Sequence, residues 1–113
     1  MRDSYKRQYS ILVKMNFKKG ILIKIMEILL EKKETPIVYY YCIATDDCRY
    51  DFSVIYSNMF CGKAMVISIQ TGNMVLLCSD DMEDEKLWIE KLGIKMVDII
   101  KCKAFLQLVL QQI

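Results

Sequence analysis

Apolar runs separated by turn signals dominate the middle of the chain. Between residues 49 and 78, three such runs follow one another at the spacing of antiparallel strands. A further run precedes these three. It spans residues 37–44, begins after Pro36, and is rich in tyrosine and β-branched residues. Because strands that are neighbours in sequence usually pair, these runs predict a four-stranded antiparallel meander in sequential order.

Glycines mark the turns between these runs. Gly72, followed by Asn73, can adopt the positive φ that a tight hairpin requires between the third and fourth strands. Cys61 and Gly62 lie in a looser loop between the second and third strands, and residues 45–48 form the first turn. The turn chemistry therefore supports the same meander.

Two helices are predicted after the last strand. Asp80 as N-cap and Glu83 three positions later have the spacing of a capping box, and Gly93 ends the helix predicted over residues 82–92. A second helix over residues 95–111 is apolar almost all the way round, which is typical of a helix buried on more than one side. The fold class is therefore α+β.

The segment before the sheet is basic and has a weaker pattern. Residues 1–34 carry nine Lys or Arg against four acids, whereas residues 35–113 carry seven against ten. Apolar residues over 18–33 recur at helical spacing, and an amphipathic helix packed on the sheet is the first interpretation. A basic membrane-surface helix and a poorly ordered or non-native segment are the alternatives. We expect a basic N-terminal extension over residues 1–33 and one α+β domain over residues 34–113.

Neither face of the predicted sheet is cleanly polar, so both faces need a cover. The two C-terminal helices can cover one face, and the N-terminal helix or a second subunit can cover the other. This excess of apolar surface favours a self-associating, protein-binding or regulatory module, with a homodimer as the expected state and a further protein partner as an option. The residues assigned to the candidate interface are Val66, Val75, Leu77, Phe105 and Val109.

The composition excludes several kinds of chemistry. The chain has no histidine, and its five cysteines do not have the spacing of a zinc site. No phosphate-binding or dinucleotide-binding motif is present, and capping explains the acidic cluster after residue 79 better than metal binding does. We therefore predict no catalytic, cofactor-binding or metal-binding residues, and no cofactor.

Cysteine usage and hydropathy also predict where the protein acts. The apolar run over residues 21–30 is interrupted by charges and is too short to cross a membrane, and no secretory signal is recognisable. The cysteines are most simply free thiols in a reducing compartment. We expect a cytoplasmic protein that does not bind membranes.

Two other function classes stay open. Cys61 lies beside Lys63, which can lower the pKa of a thiol, so Cys61 is the candidate residue for a redox sensor or a small cysteine enzyme. The tyrosines at positions 39–41, 50 and 56 could stack on the bases of a single-stranded nucleic acid. Nucleic-acid binding is the weaker of the two, because the strands carry no clear basic groove.

Several short motifs resemble one known family. They are Arg49-Tyr50-Asp51-Phe52-Ser53-Val54-Ile55, Phe60-x-Gly62-Lys63, Gln70-Thr71-Gly72 and Asp80-Asp81-Met82-Glu83. Over residues 34–113 the chain is similar to a small family of cytosolic proteins from Gram-positive bacteria, which is defined as a domain of unknown function. The resemblance implies no activity, cofactor or site.

The N-terminal third departs from this family. Its members begin shortly before the first strand with an acidic lead, whereas here about 33 residues precede the first strand, with a basic net charge and many Lys, Ile, Leu and Met residues. The departure leads to the hypothesis that Met26 is the natural start and that residues 1–25 derive from upstream sequence. The intact mass of the endogenous protein tests this hypothesis, and a full-length mass would refute it.

Overall fold

The structure is a computed structural model that describes residues 9–14 and 22–111. Its contacts divide the chain into two units, Met1–Thr35 and Pro36–Ile113. The second unit contains the four-stranded sheet and both helices, so the candidate site is built from that unit. The hypothesis that the chain starts at Met26 stays a prediction.

The described part of the first unit is a pair of strands. β1 (Tyr9–Lys14) pairs antiparallel with β2 (Leu22–Ile28). The helix predicted over residues 18–33 is therefore wrong for the residues of β2, and residues 18–21 lie outside the described part. Isoleucines are frequent in β2, and their branched side chains lose rotamer freedom in a helix but fit a paired strand.

The second unit contains the predicted meander. Its strands are β3 (Ile37–Ala44), β4 (Arg49–Tyr56), β5 (Ala64–Ser68) and β6 (Met74–Leu77), which pair antiparallel in the order β3-β4-β5-β6. The fold-class prediction is confirmed for these strands. Local turn chemistry fixes the first connection, since the Thr45 hydroxyl accepts the backbone N–H groups of Asp47 and Cys48.

Two helices follow the sheet, and each begins later than predicted. α1 spans Glu85–Leu92 and α2 spans Ile99–Leu110, and each is preceded by a 3₁₀ turn, Ser79–Glu83 and Met96–Asp98 respectively. The predicted Asp80 N-cap is wrong, because the 3₁₀ turn has Cys78 as its N-cap and α1 has Asp84. Asp81, the third residue of the 3₁₀ turn, accepts the Cys78 backbone N–H with its Oδ2 atom at 2.9 Å. The reciprocal bond of a capping box is therefore present, but it lies at the start of the 3₁₀ turn and not of α1.

Both helices pack on the same face of the sheet. Trp88 and Leu92 from α1, together with Leu106 from α2, are fully or almost fully buried. The sheet contributes Tyr50, Phe52, Val54, Ala64, Val66, Val75 and Leu77 to this core. The core therefore lies between the helices and one face of the sheet, and it accounts for the main hydrophobic stabilisation of this unit.

Two tyrosines of β4 contact the two ends of α2. The Tyr50 hydroxyl, at the start of β4, donates to Asp98 just before α2, at 2.7 Å. The Tyr56 hydroxyl, at the end of β4, donates to the backbone carbonyl of Val109 at 2.9 Å. Tyr56 lies six positions after Tyr50, about 20 Å along the strand, and Val109 lies eleven positions after Asp98, about 17 Å along the helix. α2 therefore runs along β4 in the same direction.

Gly93 follows α1 and lies close to Thr71 in the hairpin between β5 and β6. It has φ +66°, the left-handed conformation expected of a residue that ends a helix. A Cβ atom at this position would lie 2.7 Å from the Thr71 Cγ2 atom. The Thr71 hydroxyl donates to the carbonyl of Lys91 at 2.9 Å, so Thr71 cannot move away without losing this bond.

Gly93→Ala is therefore expected to lower the free energy of unfolding by about 2–3 kcal/mol, through left-handed backbone strain together with the clash. Gly62→Ala is the matched control, because Gly62 also has positive φ (+83°) but has no atom within 4 Å of its added Cβ. We expect the control to lose about 1–2 kcal/mol. Urea unfolding of both variants measures the difference, and equal losses would show that the contact with Thr71 contributes nothing.

Candidate functional site

The sheet face opposite the helices is largely apolar, and its side chains are exposed on the two edge strands. Cross-strand pairs place its side chains together, since residues that are directly opposite in an antiparallel pair share a face. We call this surface the open face. Its apolar members are Val38, Tyr40, Ile55, Met65, Ile67, Met74 and Leu76.

The open face is wide enough to be an interface. Tyr40 is 77% exposed, Met74 is 50% exposed, and Leu76, on the far edge strand, is 38% exposed. Four strands at about 4.8 Å spacing, each with about five residues, give a flat footprint of roughly 320 Å². Apolar patches of about 300–600 Å² are the largest on a typical monomer and are often functional.

The charged groups of the open face are paired with each other. Arg49 Nε lies 3.2 Å from Asp51 Oδ1, and Gln70 Nε2 donates to Asp51 Oδ2 at 2.7 Å. Hydrogen bonds from Cys42 and Arg49 lower the pKa of Asp51, and the bond to Asp51 raises the pKa of the Cys42 thiol. The face therefore has no net charge, and its exposed thiol is not activated.

The predicted interface residues lie between the sheet and α2. Val66, Val75 and Leu77 are on the helix-covered face of the sheet, Val109 is on the inner side of α2, and all four are buried in the core. Their assignment to an interface was wrong, because a side chain in the protein's own core cannot contact a partner while the fold is intact. Phe105 of α2 is half-buried, with its ring centroid 5.1 Å from that of Tyr41, and its assignment stays a prediction.

The cross-strand register identifies which side chains lie on the open face. The polar residues Arg49, Asp51 and Ser53 alternate with the apolar ones along β4 and identify its outer face. Ser53 pairs with Ile67, which places Ile67 on that face too. A prediction made from each strand separately does not use the pairing between strands, so it does not identify the open face.

Cys61 is exposed, and among the described residues its thiol contacts a backbone carbonyl and not a base. Lys63, the residue expected to activate the thiol, has its Nζ 2.9 Å from Asp81 Oδ2. The Cys61 Sγ atom lies 3.9 Å from the carbonyl oxygen of Met59. Cys61 itself has φ +53° and ends the short 3₁₀ turn Asn58–Phe60, so its position follows from the turn.

The tyrosines do not form one platform. Tyr39, Tyr41, Tyr50 and Tyr56 point to the helix-covered face, and of the five sheet tyrosines only Tyr40 lies on the open face. Stacking of successive bases requires neighbouring aromatic rings on one exposed surface. The arrangement therefore gives no support to the nucleic-acid alternative.

The part of the chain that the structure describes holds no group of three or more His, Cys, Asp or Glu side chains that could bind a metal ion. Within that part, no helix has both the length and the apolar character needed to cross a membrane. The acidic segment after β6 instead contacts α2, since Glu83 and Glu85 both lie near Lys103.

A buried polar cluster fixes the start of α2. Asp98 is fully buried, its Oδ2 accepts from Tyr50, and its Oδ1 has no hydrogen-bond partner among the described residues. The Lys95 backbone N–H donates to the Tyr50 hydroxyl at 3.1 Å. Burial, reinforced by the bond to Asp98, raises the pKa of Tyr50, and burial raises the pKa of Cys102 to about 11. Tyr50 and Cys102 therefore keep their protons near neutral pH, which fits a structural role.

The side of α2 that faces away from the sheet forms a second exposed apolar surface. We call it the outer stripe. It begins in the 3₁₀ turn before α2 and recurs at helical spacing along the helix. Its members are Met96, Val97, Ile100, Ala104 and Leu108.

Comparison with known proteins places the chain in a family. A family model described as SAV0927-like matches residues 29–107. The chain belongs to the SAV0927-like family. No function is assigned to this family, so the expected resemblance to a family without assigned function is confirmed. The match includes the whole sheet of the second unit, and with it the open face. Among curated proteins, no match to the chain was found.

Proposed function

We propose that this protein is a non-enzymatic protein-interaction module that self-associates by packing the open faces of two copies against each other. The observation that carries the proposal is the apolar open face, whose side chains are exposed on the edge strands β3 and β6 and half-buried on the middle strands β4 and β5. Two sheets packed face to face bury their apolar side chains in a layer about 10 Å thick.

Charge supports a second copy as the occupant. A two-fold symmetric interface brings the same surface together with itself, so any net charge on that surface would repel its own copy. Arg49 and Asp51 neutralise each other on the open face, and its remaining members are uncharged. Self-association therefore involves little like-charge repulsion.

The proposed setting is the cytosol of a Gram-positive bacterium, as the sequence resemblance implies. All five cysteines are free, which is in keeping with a reducing compartment. A redox or catalytic role for Cys61 is not part of the proposal, because the Lys63 side chain is engaged with Asp81.

An isotope-filtered NOE experiment on a mixture of labelled and unlabelled protein tests where two copies meet. We expect contacts between copies from the methyl groups of Val38, Ile55, Met65 and Leu76. The methyl groups of Ile100 and Leu108, on the outer stripe, are the internal control and should show no such contacts. Two results would refute the proposal. One is contacts between copies that map only to the outer stripe. The other is no contact between copies at concentrations up to about 1 mM, where a dissociation constant corresponds to only about 4 kcal/mol of binding free energy.

A further inference from the structure

The outer stripe presents apolar side chains that the protein's own core does not use. Met96 is 86% exposed, Ile100 is 83% exposed and Leu108 is 65% exposed. The buried side chains of α2, Cys102, Leu106, Val109 and Leu110, occupy the opposite side of the helix. α2 is thus apolar on two sides, and only the inner side is covered by the sheet.

The charged side chains that α2 itself carries are all basic. α2 contains two lysines, Lys101 and Lys103, and no acidic residue. Lys103 Nζ lies 3.4 Å from Glu83 and 3.5 Å from Glu85. Lys101, and Lys95 just before the helix, form no ion pair among the residues that the structure describes.

We propose that the outer stripe binds an amphipathic helix of another protein, with apolar residues every three to four positions and Asp or Glu residues on its flanks. Apolar residues at this spacing fit the grooves of α2, and Ala104 at the middle of the stripe allows a close approach. Acidic flanks complement the positive charges of Lys95 and Lys101.

A second copy is the less favourable occupant of this surface. Two outer stripes packed together would bring Lys95 and Lys101 of both copies to one interface, and neither lysine has an ion-pair partner among the described residues. This contrasts with the open face, where the charges cancel within each copy. Because the helices and the open face lie on opposite sides of the sheet, both surfaces can be occupied together, and this proposal does not depend on self-association.

Defined peptides test the proposal. The probe is a 15-residue helical peptide with leucine at every third or fourth position and glutamate at the remaining positions. One comparison peptide has lysine in place of each glutamate, and another has the acidic sequence scrambled to remove the apolar stripe. Binding is measured by fluorescence anisotropy, and vesicles containing anionic lipid test the membrane as an alternative.

We expect the acidic amphipathic peptide to bind about tenfold or more tightly than either comparison peptide, a difference of about 1.4 kcal/mol. Ile100→Ser with Leu108→Ser, and separately Lys101→Glu, should each weaken binding about tenfold, while Tyr40→Ser on the open face should leave it unchanged. All these positions are exposed, so the variants should fold.

Three results would overturn the proposal. They are equal affinity for the acidic and lysine-flanked peptides, no peptide binding at concentrations up to about 1 mM, and binding to anionic vesicles without binding to the acidic peptide. The last result would assign the stripe to a lipid surface. The Tyr40→Ser control shows which surface the peptide uses, because weaker peptide binding in this variant would assign the binding to the open face and not to the outer stripe.

Discussion

Tyr50→Phe is expected to lower the free energy of unfolding by about 2–4 kcal/mol, because it leaves the buried Asp98 carboxyl group without its hydrogen-bond donor. Asp98 is fully buried, and one of its oxygens already lacks a partner. The variant also removes the acceptor of the Lys95 backbone N–H. Urea or thermal unfolding measures the loss, and the effect should concentrate at the start of α2 in hydrogen exchange.

Tyr56→Phe is the matched control at the other end of the same helix. It removes one neutral hydrogen bond, to the carbonyl of Val109, and is expected to lose about 0.5–1.5 kcal/mol. The double variant Tyr50→Phe with Asp98→Ala should be more stable than the sum of the two single losses predicts, because it removes both partners. Additive losses, or equal losses for the two tyrosines, would contradict the account of this cluster.

The second large effect concerns self-association. A variant with Tyr40→Lys and Leu76→Lys places a charge on each edge strand of the open face. An ammonium group buried at an interface without a partner costs at least about 1.4 kcal/mol. Each copy contributes two such groups, so the four groups of the symmetric dimer should weaken it about 10,000-fold or more. Sedimentation equilibrium measures the dissociation constant directly.

The control for this variant is Ile100→Lys with Leu108→Lys, which adds the same charge to the outer stripe. These side chains are 83% and 65% exposed, so the two double variants compare like substitutions on opposite sides of the domain. We expect the control to dissociate as the unmodified protein does. A dimer that survives the open-face variant and is lost in the control would place the interface on α2.

The meander could be predicted because each of its signals is local. Pro36 and the turn after Ala44 bound β3, and Gly72 takes the positive φ that its turn requires. Gly93 likewise ends α1 as the sequence indicates. The positions of these turns and of this helix end depend on backbone conformations that one or two residues determine. They can therefore be predicted without knowing which residues are in contact elsewhere in the fold.

The identity of the covered sheet face could not be read from single strands. Val66 and Ile67 are neighbours of similar character, yet one is in the core and the other faces outward. The choice depends on pairing with β4, where Ser53 and Val54 alternate clearly between polar and apolar. Register is a property of two strands together, which explains why the predicted interface fell on the wrong side.

The strand β2 was missed for a related reason. Its residues, Leu22–Ile28, fit both a helical stripe and an apolar strand, because periodicity alone does not separate short apolar runs. The pairing with β1 decides between them, and that partner has no clear pattern of its own. The outer stripe, in contrast, was signalled by the apolar character of the second helix on nearly all sides.

Light scattering on a sizing column, over a wide range of protein concentration, tests self-association most directly. The chain has a mass of 13.3 kDa, and we predict a species of twice this mass that becomes dominant as concentration rises. A mass of 13.3 kDa at every concentration would contradict the proposed function, because the open face would then have no second copy to cover it.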